Sequence, residues 1–291
     1  MSKKALFVGL VTIDMVYLTA GMPDNNQKIV ASDYIVTAGG PATNAAIAFH
    51  YLNRHSGTGN TGAHLLGVVG QHPMTQLIRA DLEQQGVILT DLDPNRLDPP
   101  AVSSIVVTEA TGDRAIVSIN ATKSQIDTEQ ISPHLLNDVE LILIDGHQMA
   151  AGEKLAQLAK SQKIPVAIDG GSWKPGFEKI LPFVDYAMCS ANFLPPNCDT
   201  HADVFAYLSE FNIPHIAITH GEKPIEYLSN GKSGTVPIPQ IKPVDTLAAG
   251  DIFHGAFCHY ILFQEFIPAI ASAVNIASDA CKSFGSRQWM Q

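Results

Sequence analysis

The sequence has no cysteine pair at a spacing typical of a disulfide framework or a zinc site. Its four cysteines are scattered without a C-x-x-C motif, and free thiols are typical of a reducing compartment. The 11 histidines also lack H-x-H and HExxH spacing, so we interpret them as surface and core side chains. The cysteines are Cys189, Cys198, Cys258 and Cys281.

The chain also has little positive charge and no long apolar run. Its 18 Lys and Arg against 28 Asp and Glu give a net charge of −10 at pH 7. This acidic balance would repel nucleic acid and anionic lipid, so we expect neither partner. No stretch reaches membrane-spanning length. Asp14 interrupts the N-terminal apolar run, and no convincing signal-peptide cleavage site follows it. We therefore expect a cytoplasmic protein.

What the sequence does contain is a run of small residues, Ala248, Ala249 and Gly250, followed by Asp251 and an apolar helical pattern. Backbone N–H groups without bulky side chains can approach an anion, and the positive end of the helix dipole lies at the same place. An anion site beside a carboxylate is what phosphoryl transfer to an alcohol needs. The alternative interpretation is that Asp251 only caps the helix.

A second motif, AGGPATNAAIAFHYLN, occupies residues 38–53. Gly39 and Gly40 allow a close backbone approach, and Pro41 suits the first turn of a helix. Asn44 lies early in that helix, where it either has a structural role or points its amide at a hydroxylated ligand. These residues predict a ligand site at a helix N-terminus.

The first apolar run, Ala5–Leu10, predicts a buried strand, and Asp14 follows just beyond its end. Ligands of open α/β sheets bind beyond the carboxyl ends of the strands, so Asp14 is a candidate for holding a polar ligand. An Asx turn is the alternative interpretation.

From Leu141 onward, apolar strand patterns alternate with helical patterns, which predicts a parallel sheet. Polar residues fall at the predicted carboxyl ends of these strands, so we expect them on one edge of the sheet. Three further β-rich segments, 28–36, 103–108 and 114–120, lie outside this alternation and predict a small accessory sheet that could serve as a lid. The polar residues at the strand ends are Asp145, Asp169, Asn192, Thr219 and Gly221.

The two motifs together, AGGPATNAAIAF and DTLAAGDIFHGAF, resemble the ribokinase-like (PfkB) family of carbohydrate kinases over nearly the whole chain. Within that family the sequence looks most like fructokinase- and ketohexokinase-type sugar kinases. The resemblance implies a doubly wound, mostly parallel α/β sheet sandwiched by helices, with a small β-sheet lid. It implies one kinase domain over residues 1–291, with lid segments at about 11–36 and 99–121. The implied reaction transfers the γ-phosphoryl group of ATP to a primary hydroxyl of a sugar.

The resemblance also assigns roles to individual residues. Asp251 matches the general base, with Ala248, Ala249 and Gly250 as the anion hole. The other matching residues are Asp14, Gly39, Gly40 and Asn44 for the sugar, Thr219, Gly221, Asn275 and Asn192 for the nucleotide side, and Asp245 with the Leu247 carbonyl for a monovalent cation. The implied cofactors are ATP, Mg²⁺ and K⁺, and a lid-mediated homodimer is consistent with the family.

Four features depart from the family pattern, and one of them is the C-terminal R-x-G-A run, which is reduced to FGSR at residues 284–287. Ala248 replaces the usual glycine of the anion hole. Pro195 replaces the glutamate of the N-x-x-E motif that begins at Asn192 and organises Mg²⁺ through water. Pro224 replaces the last glycine of the nucleotide loop. Pro195 and Pro224 leave a non-catalytic binding descendant as one alternative function. A nucleoside kinase is the other, because the fold and motifs do not determine the acceptor.

Overall fold

The computed structural model describes residues 4–55, 62–119, 126 and 128–291, and two β-sheets organise them. The strands are β1 (Lys4–Val8), β2 (Thr12–Thr19), β3 (Asp33–Gly39), β4 (Gly62–Gly67), β5 (Ile88–Asp91), β6 (Ala101–Thr108), β7 (Arg114–Ser118), β8 (Val139–Ile144), β9 (Val166–Gly170), β10 (Tyr186–Ser190), β11 (His215–His220), β12 (Lys223–Ser229) and β13 (Lys232–Val236). Nine strands form the large sheet in the order β13-β12-β11-β10-β9-β8-β1-β4-β5. Its pairs are parallel except β11–β12 and β12–β13.

Helices cover both faces of this large sheet. They are α1 (Pro41–His55), α2 (Thr75–Gln84), α3 (Met149–Ser161), α4 (Phe177–Ile180), α5 (His201–Glu210), α6 (Ala249–Tyr260) and α7 (Phe266–Ala280). Strand β1 illustrates the two layers, because Leu6 and Val8 pack in the cluster that contains α3 to α5, whereas Ala5 and Phe7 pack with α1 and α2. Alternate side chains of a strand point to opposite faces, so a continuous apolar run serves both layers. The predicted doubly wound α/β fold is confirmed.

The small sheet has the order β3-β2-β6-β7 and is also as expected, although its strands are mixed in direction. Strands β2 and β6 are parallel, whereas β2–β3 and β6–β7 are antiparallel. The face that carries Val16, Ile105 and Val107 packs against Leu247 and Phe284 of the rest of the molecule. The small sheet is therefore attached to the region that precedes α6.

Asp14 is not in a loop after β1, as the sequence pattern indicated, but within β2, where it pairs with Thr37 and Ser103. The Asx-turn alternative is therefore wrong. A carboxylate on the inner face of a strand breaks the apolar alternation, which is why the pattern of residues 12–19 did not predict a strand.

Several element boundaries also differ from the predictions. Strand β3 runs over Asp33–Gly39, later than the predicted segment 28–36, because its pairing with β2 continues to Gly39 opposite Thr12. Helix α6 starts at Ala249, before the predicted start at Asp251. Among the described residues, no helix has both the length and the apolar character needed to cross a bilayer.

Candidate active site

The first part of the site lies where β2, β3 and α1 meet. The Asp14 carboxylate is 8% exposed and accepts a 2.7 Å hydrogen bond from the Thr12 hydroxyl. A Cβ atom on Gly39 would overlap this carboxylate, so glycine is required for the approach of β3. Gly40 has φ +99°, a left-handed conformation that glycine adopts without strain. The glycine pair thus brings β3 against Asp14 and turns the chain into α1.

Asn44 joins this region to the second motif. Its Nδ2 donates a 2.8 Å hydrogen bond to Oδ2 of Asp251, which lies in the first turn of α6. The two motifs that the sequence separates by some two hundred positions are therefore in direct contact. The structure thus brings Asp14, Gly39, Gly40, Asn44 and Asp251 together, and their roles in binding and catalysis stay predictions.

The environment of Asp251 favours its protonated form. Burial and the nearby negative charge of Asp169 raise the pKa of Asp251 to about 7, against the lowering effects of the Asn44 hydrogen bond and of His254. A carboxyl group with a pKa near neutrality can accept a proton during a reaction and release it afterwards. The geometry and the pKa of Asp251 both suit a general base.

His254 forms a buried pair with Asp169 one helical turn after Asp251. Its Nδ1 lies 3.1 Å from Asp169 Oδ2, and its Nε2 lies 3.2 Å from the carbonyl oxygen of Met188. Burial opposes a charge on the ring, but Asp169, Asp251 and the Met188 carbonyl together outweigh it and raise the pKa of His254. The contact of Nδ1 with Asp169 is an ion-pair distance and not an aligned hydrogen bond, so a protonated His254 would balance the charge of Asp169. The interpretation of the histidines as ordinary core and surface residues missed this pair.

Arg287, from the C-terminal segment, is a further site residue that sequence reasoning missed. Its Nη1 donates to Oδ1 of Asn44 at 3.0 Å, and its Nη2 donates to the carbonyl oxygen of Ala38 at 2.7 Å. Its Nη2 also lies 3.8 Å from Asp81. Because Arg287 occupies Oδ1 of Asn44, it is the Nδ2 side of that amide that faces Asp251. No local sequence signal connects Arg287 to a residue so distant in the chain.

The N-terminus of α6 faces a cleft. Ala248 precedes the helix with φ 59° and ψ 10°, a left-handed conformation that costs a non-glycine residue roughly 1–2 kcal/mol. This explains why the family usually has glycine there. The first N–H groups of a helix have no carbonyl partner within it, and Ala249 and Gly250 line the cleft. The N–H of Ala249 donates to the Thr246 carbonyl just before the helix at 3.3 Å. An anion hole at this position is consistent with the geometry.

The cleft has a volume of about 570 Å³ and extends from the start of α6 to β11 and α7. Of the residues predicted on the nucleotide side, Thr219 and Gly221 line it, whereas Asn275 and Asn192 are exposed and lie outside its lining. Helix α7 lines the cleft with a face other than the one that carries Asn275. Its lining residues follow helical spacing and are Val274, Ala277 and Ser278.

Arg114 brings a positive charge from the small sheet to this cleft. It lies on β7, lines the cleft, and its Nη1 donates a 2.6 Å hydrogen bond to the Thr246 hydroxyl just before α6. Sequence reasoning did not identify Arg114 because the contact links two segments far apart in the chain.

The predicted cation residue Asp245 is 2% exposed and connects two backbone segments. Its Oδ1 accepts from the N–H of Leu247 at 2.8 Å, and its Oδ2 accepts from the N–H of Gly285 at 2.9 Å. Pro195, by contrast, is buried and offers no carboxylate. Asn192 and Pro195 therefore do not reproduce the donor set of the family's magnesium motif.

Comparisons with known proteins identify the family and support the fold. Residues 2–290 match the family described as pfkB family carbohydrate kinase. The chain is 23% identical to the ribokinase of Bacillus subtilis strain 168, with 97% of this chain and 94% of that protein covered. It is 24% identical to the deoxyribokinase of Salmonella typhi, covering 87% and 84%. The structure of Arabidopsis thaliana ribokinase complexed with ribose and ATP superposes with a TM-score of 0.77 at 18% identity, covering 98% and 94%.

Proposed function

Because the chain belongs to the pfkB family of carbohydrate kinases, we propose that it transfers the γ-phosphoryl group of ATP to a primary hydroxyl of a sugar held beside Asp251. As a member of that family it is a phosphotransferase with an alcohol acceptor. The observation that supports the proposal best is Asp251 itself, which Asn44 holds at the start of α6, next to the cleft.

In this mechanism the sugar lies between Asp14 and Asn44, where the carboxylate and the amide can hydrogen-bond its hydroxyl groups. Asp251 takes the proton of the attacking hydroxyl as the phosphoryl group moves in line. The N–H group of Gly250 donates to the oxygens that carry the developing charge, whereas the N–H of Ala249 must first leave the Thr246 carbonyl, to which it donates at 3.3 Å. The triphosphate extends along the cleft towards Thr219 and Gly221.

Magnesium requires a different arrangement from the usual family motif, since Pro195 has no side-chain carboxylate to replace that of glutamate. Mg²⁺ binds mainly through substrate phosphates and keeps several waters, so we propose that it enters as the complex with ATP. When bound, the ion neutralises phosphate charge. We expect ADP formation to cease when EDTA removes the ion and to return when Mg²⁺ is restored.

The acceptor is best identified with a panel of sugars in a coupled assay for ADP. The resemblance favours a ketohexose-like sugar, whereas relatives named ribokinase and deoxyribokinase add ribose and deoxyribose to the panel. Nucleosides belong in it as well, because the fold does not determine the acceptor. Turnover only with nucleosides would favour the nucleoside kinase. Calorimetric binding of sugar and nucleotide without ADP release would favour a non-catalytic protein.

Replacing Gly39 by alanine tests the sugar site. Because the new Cβ would overlap the Asp14 carboxylate, Asp14 must move, and misplacing a binding group costs roughly 10- to 100-fold in kcat/KM. We expect the loss to appear in KM for the sugar rather than in KM for ATP. Gly21→Ala is the matched control, because a Cβ there has no neighbour within 4 Å. An unchanged KM for the sugar in Gly39→Ala would contradict the assignment of Asp14.

Replacing Arg114 by glutamine tests the contribution of the small sheet to the nucleotide site. A charged hydrogen-bond donor is worth about 1.5–3 kcal/mol, and Arg114 is exposed, so we expect kcat/KM for ATP to fall roughly tenfold with little effect on stability. The control is Arg96→Gln, which removes an arginine near the opposite edge of the large sheet, after β5. Equal kinetics for the two variants would argue against a role for Arg114.

We also propose that Asp245 and the carbonyl of Leu247 bind K⁺, as the resemblance implies. Carboxylate and carbonyl oxygens are the ligands that hard cations prefer, and Asp245 is a buried carboxylate whose described hydrogen bonds come from backbone N–H groups. We expect turnover to rise when K⁺ replaces Li⁺ at constant ionic strength. Asp245→Asn should lose this response.

We propose that the chain works as one kinase domain over residues 1–291, with the segments at about 11–36 and 99–121 as its lid.

We also propose that the chain forms a homodimer through the small sheet. The outer face of that sheet exposes the apolar side chains Tyr17, Tyr34, Val36 and Val117. Exposed apolar patches of this kind often mark interfaces. Light scattering should give twice the monomer mass of 31.2 kDa, and Tyr34→Glu should reduce it to that of the monomer.

A further inference from the structure

Three side chains that the kinase reaction does not use converge behind the nucleotide cleft. His201 is the first residue of α5, His220 is the last residue of β11, and Glu226 lies on β12. His201 Nδ1 lies 3.9 Å and His220 Nε2 lies 3.6 Å from the same oxygen, Oε2 of Glu226. The two imidazole rings are in contact, with centroids 4.3 Å apart.

These distances approach those of a metal site. One ligand atom from each residue lies within 4.8 Å of the other two. Ligands at about 2.1 Å from a tetrahedral metal ion are about 3.4 Å from one another, so contractions of a few tenths of an ångström would bring the two His–Glu distances to that value. Glu226 has a side chain that is 45% exposed, which leaves it free to make the adjustment.

His220 provides a second, independent indication. Its side chain is only 10% exposed, and its Nε2 is buried without a hydrogen-bond partner among the described residues. A buried ring nitrogen without a partner is costly. Such a nitrogen is suited to bind a metal ion.

The position of His201 is fixed by a capping box. The Thr200 hydroxyl accepts a hydrogen bond from the N–H of Asp203, and the Asp203 carboxylate accepts one from the N–H of Thr200. This arrangement holds the first turn of α5. The backbone of one ligand is therefore already ordered before an ion binds, which lowers the entropic cost of binding.

We propose that His201, His220 and Glu226 bind one divalent transition-metal ion, with Zn²⁺ as the best match, on the side of β11 opposite the nucleotide cleft. Thr219 and Gly221 line the cleft, and successive side chains of a strand alternate, so His220 faces the other way. The bound ion links α5 to the β11–β12 hairpin. Two imidazoles and a carboxylate form a donor set that suits zinc and not magnesium. The site is independent of the proposed kinase reaction.

Zinc binding to the full chain, freed of metal with a chelator and free of nucleotide, tests the proposal. We expect calorimetry to give one Zn²⁺ per chain, undisturbed by excess Mg²⁺. A ligand that binds only the folded state raises the midpoint of thermal unfolding, and amide exchange should slow in residues 215–229 and in the first turn of α5. His201→Ala and Glu226→Gln should each weaken binding at least about tenfold, given that even outer-shell partners contribute 10- to 100-fold.

His134→Ala is the matched control, since it removes an exposed histidine elsewhere and should bind Zn²⁺ like the unmodified chain. Unfolding midpoints without metal identify any variant that fails to fold, and Glu226→Gln, at a half-exposed position, is the mildest change. Binding that is unsaturable, or equally strong in His201→Ala, Glu226→Gln and His134→Ala, would overturn the proposal.

Discussion

Replacing Asp251 by asparagine should lower turnover by at least about a hundredfold while the fold is retained, because a positioned general base contributes roughly 10²–10⁴-fold. Asparagine keeps the size of the side chain and can still accept the hydrogen bond from Asn44, but it cannot take a proton. The loss should therefore be in kcat, with KM for the sugar nearly unchanged. Steady-state kinetics with a coupled ADP assay measures both.

Asp279→Asn is the matched control, because Asp279 is an exposed carboxylate of α7 that pairs with Lys282 at 2.6 Å. Its turnover should equal that of the unmodified chain. Turnover near the original value in Asp251→Asn would remove Asp251 from the mechanism.

The raised pKa of Asp251 gives this variant a second signature. The base must be ionised to work, so kcat/KM of the unmodified enzyme should rise with pH and level off above pH of about 7. In the unfolded state Asp251 has its ordinary pKa of 3.8 and loses its proton above that pH. In the folded state it keeps the proton up to a pH of about 7. Stability therefore falls as pH rises through this window. Asp251→Asn should unfold at a higher temperature than the unmodified chain at pH 8, and the difference should shrink towards pH 4.

The sequence predicted the parts of the fold that depend on local patterns. Apolar runs such as Leu141–Ile144 are long enough to identify strands buried on both faces, and Pro41 begins α1, where its position predicted the first turn of a helix. Strand β2 was not identified, because Asp14 interrupts the apolar alternation that identifies a strand. Asp14 is accommodated in the strand because β2 pairs with both β3 and β6 and the carboxylate accepts from the Thr12 hydroxyl, contacts that spacing alone does not reveal.

The candidate site also contains some residues that local patterns identify and others that they do not. Asp251, Asn44 and Gly39 lie in motifs whose small residues and helix starts have a local physical meaning. Arg114 and Arg287 have none, because each acts through a contact with a segment more than a hundred residues away. The sequence places His254 one helical turn after Asp251, but it does not reveal that Asp169 is the partner of His254.

Arg287 should be the most sensitive of these unpredicted residues, and Arg287→Met should impair both stability and turnover. Its side chain is 13% exposed, and it lies 3.8 Å from Asp81. Removing one partner of a buried charge pair costs about 3–5 kcal/mol. Without the guanidinium, Oδ1 of Asn44 loses its donor, so the amide is free to turn and present an oxygen to Asp251. We therefore expect kcat per folded molecule to fall roughly 10- to 100-fold, the usual result of a misplaced group.

Arg287→Lys separates the positioning of Asn44 from simple structural support. Lysine keeps the charge near Asp81 but cannot donate to Asn44 and Ala38 at once through a planar fork, so stability should return in part while kcat stays low. Arg79→Met is the control, because Arg79 pairs with Asp91 at 2.8 Å outside the site and should affect stability only slightly and kcat not at all. Unfolding in urea measures the free energy of unfolding and the fraction of molecules that are folded. Dividing the observed turnover by that fraction gives kcat per folded molecule. If kcat in Arg287→Met stayed normal once corrected for the folded fraction, Arg287 would support the fold without positioning the base.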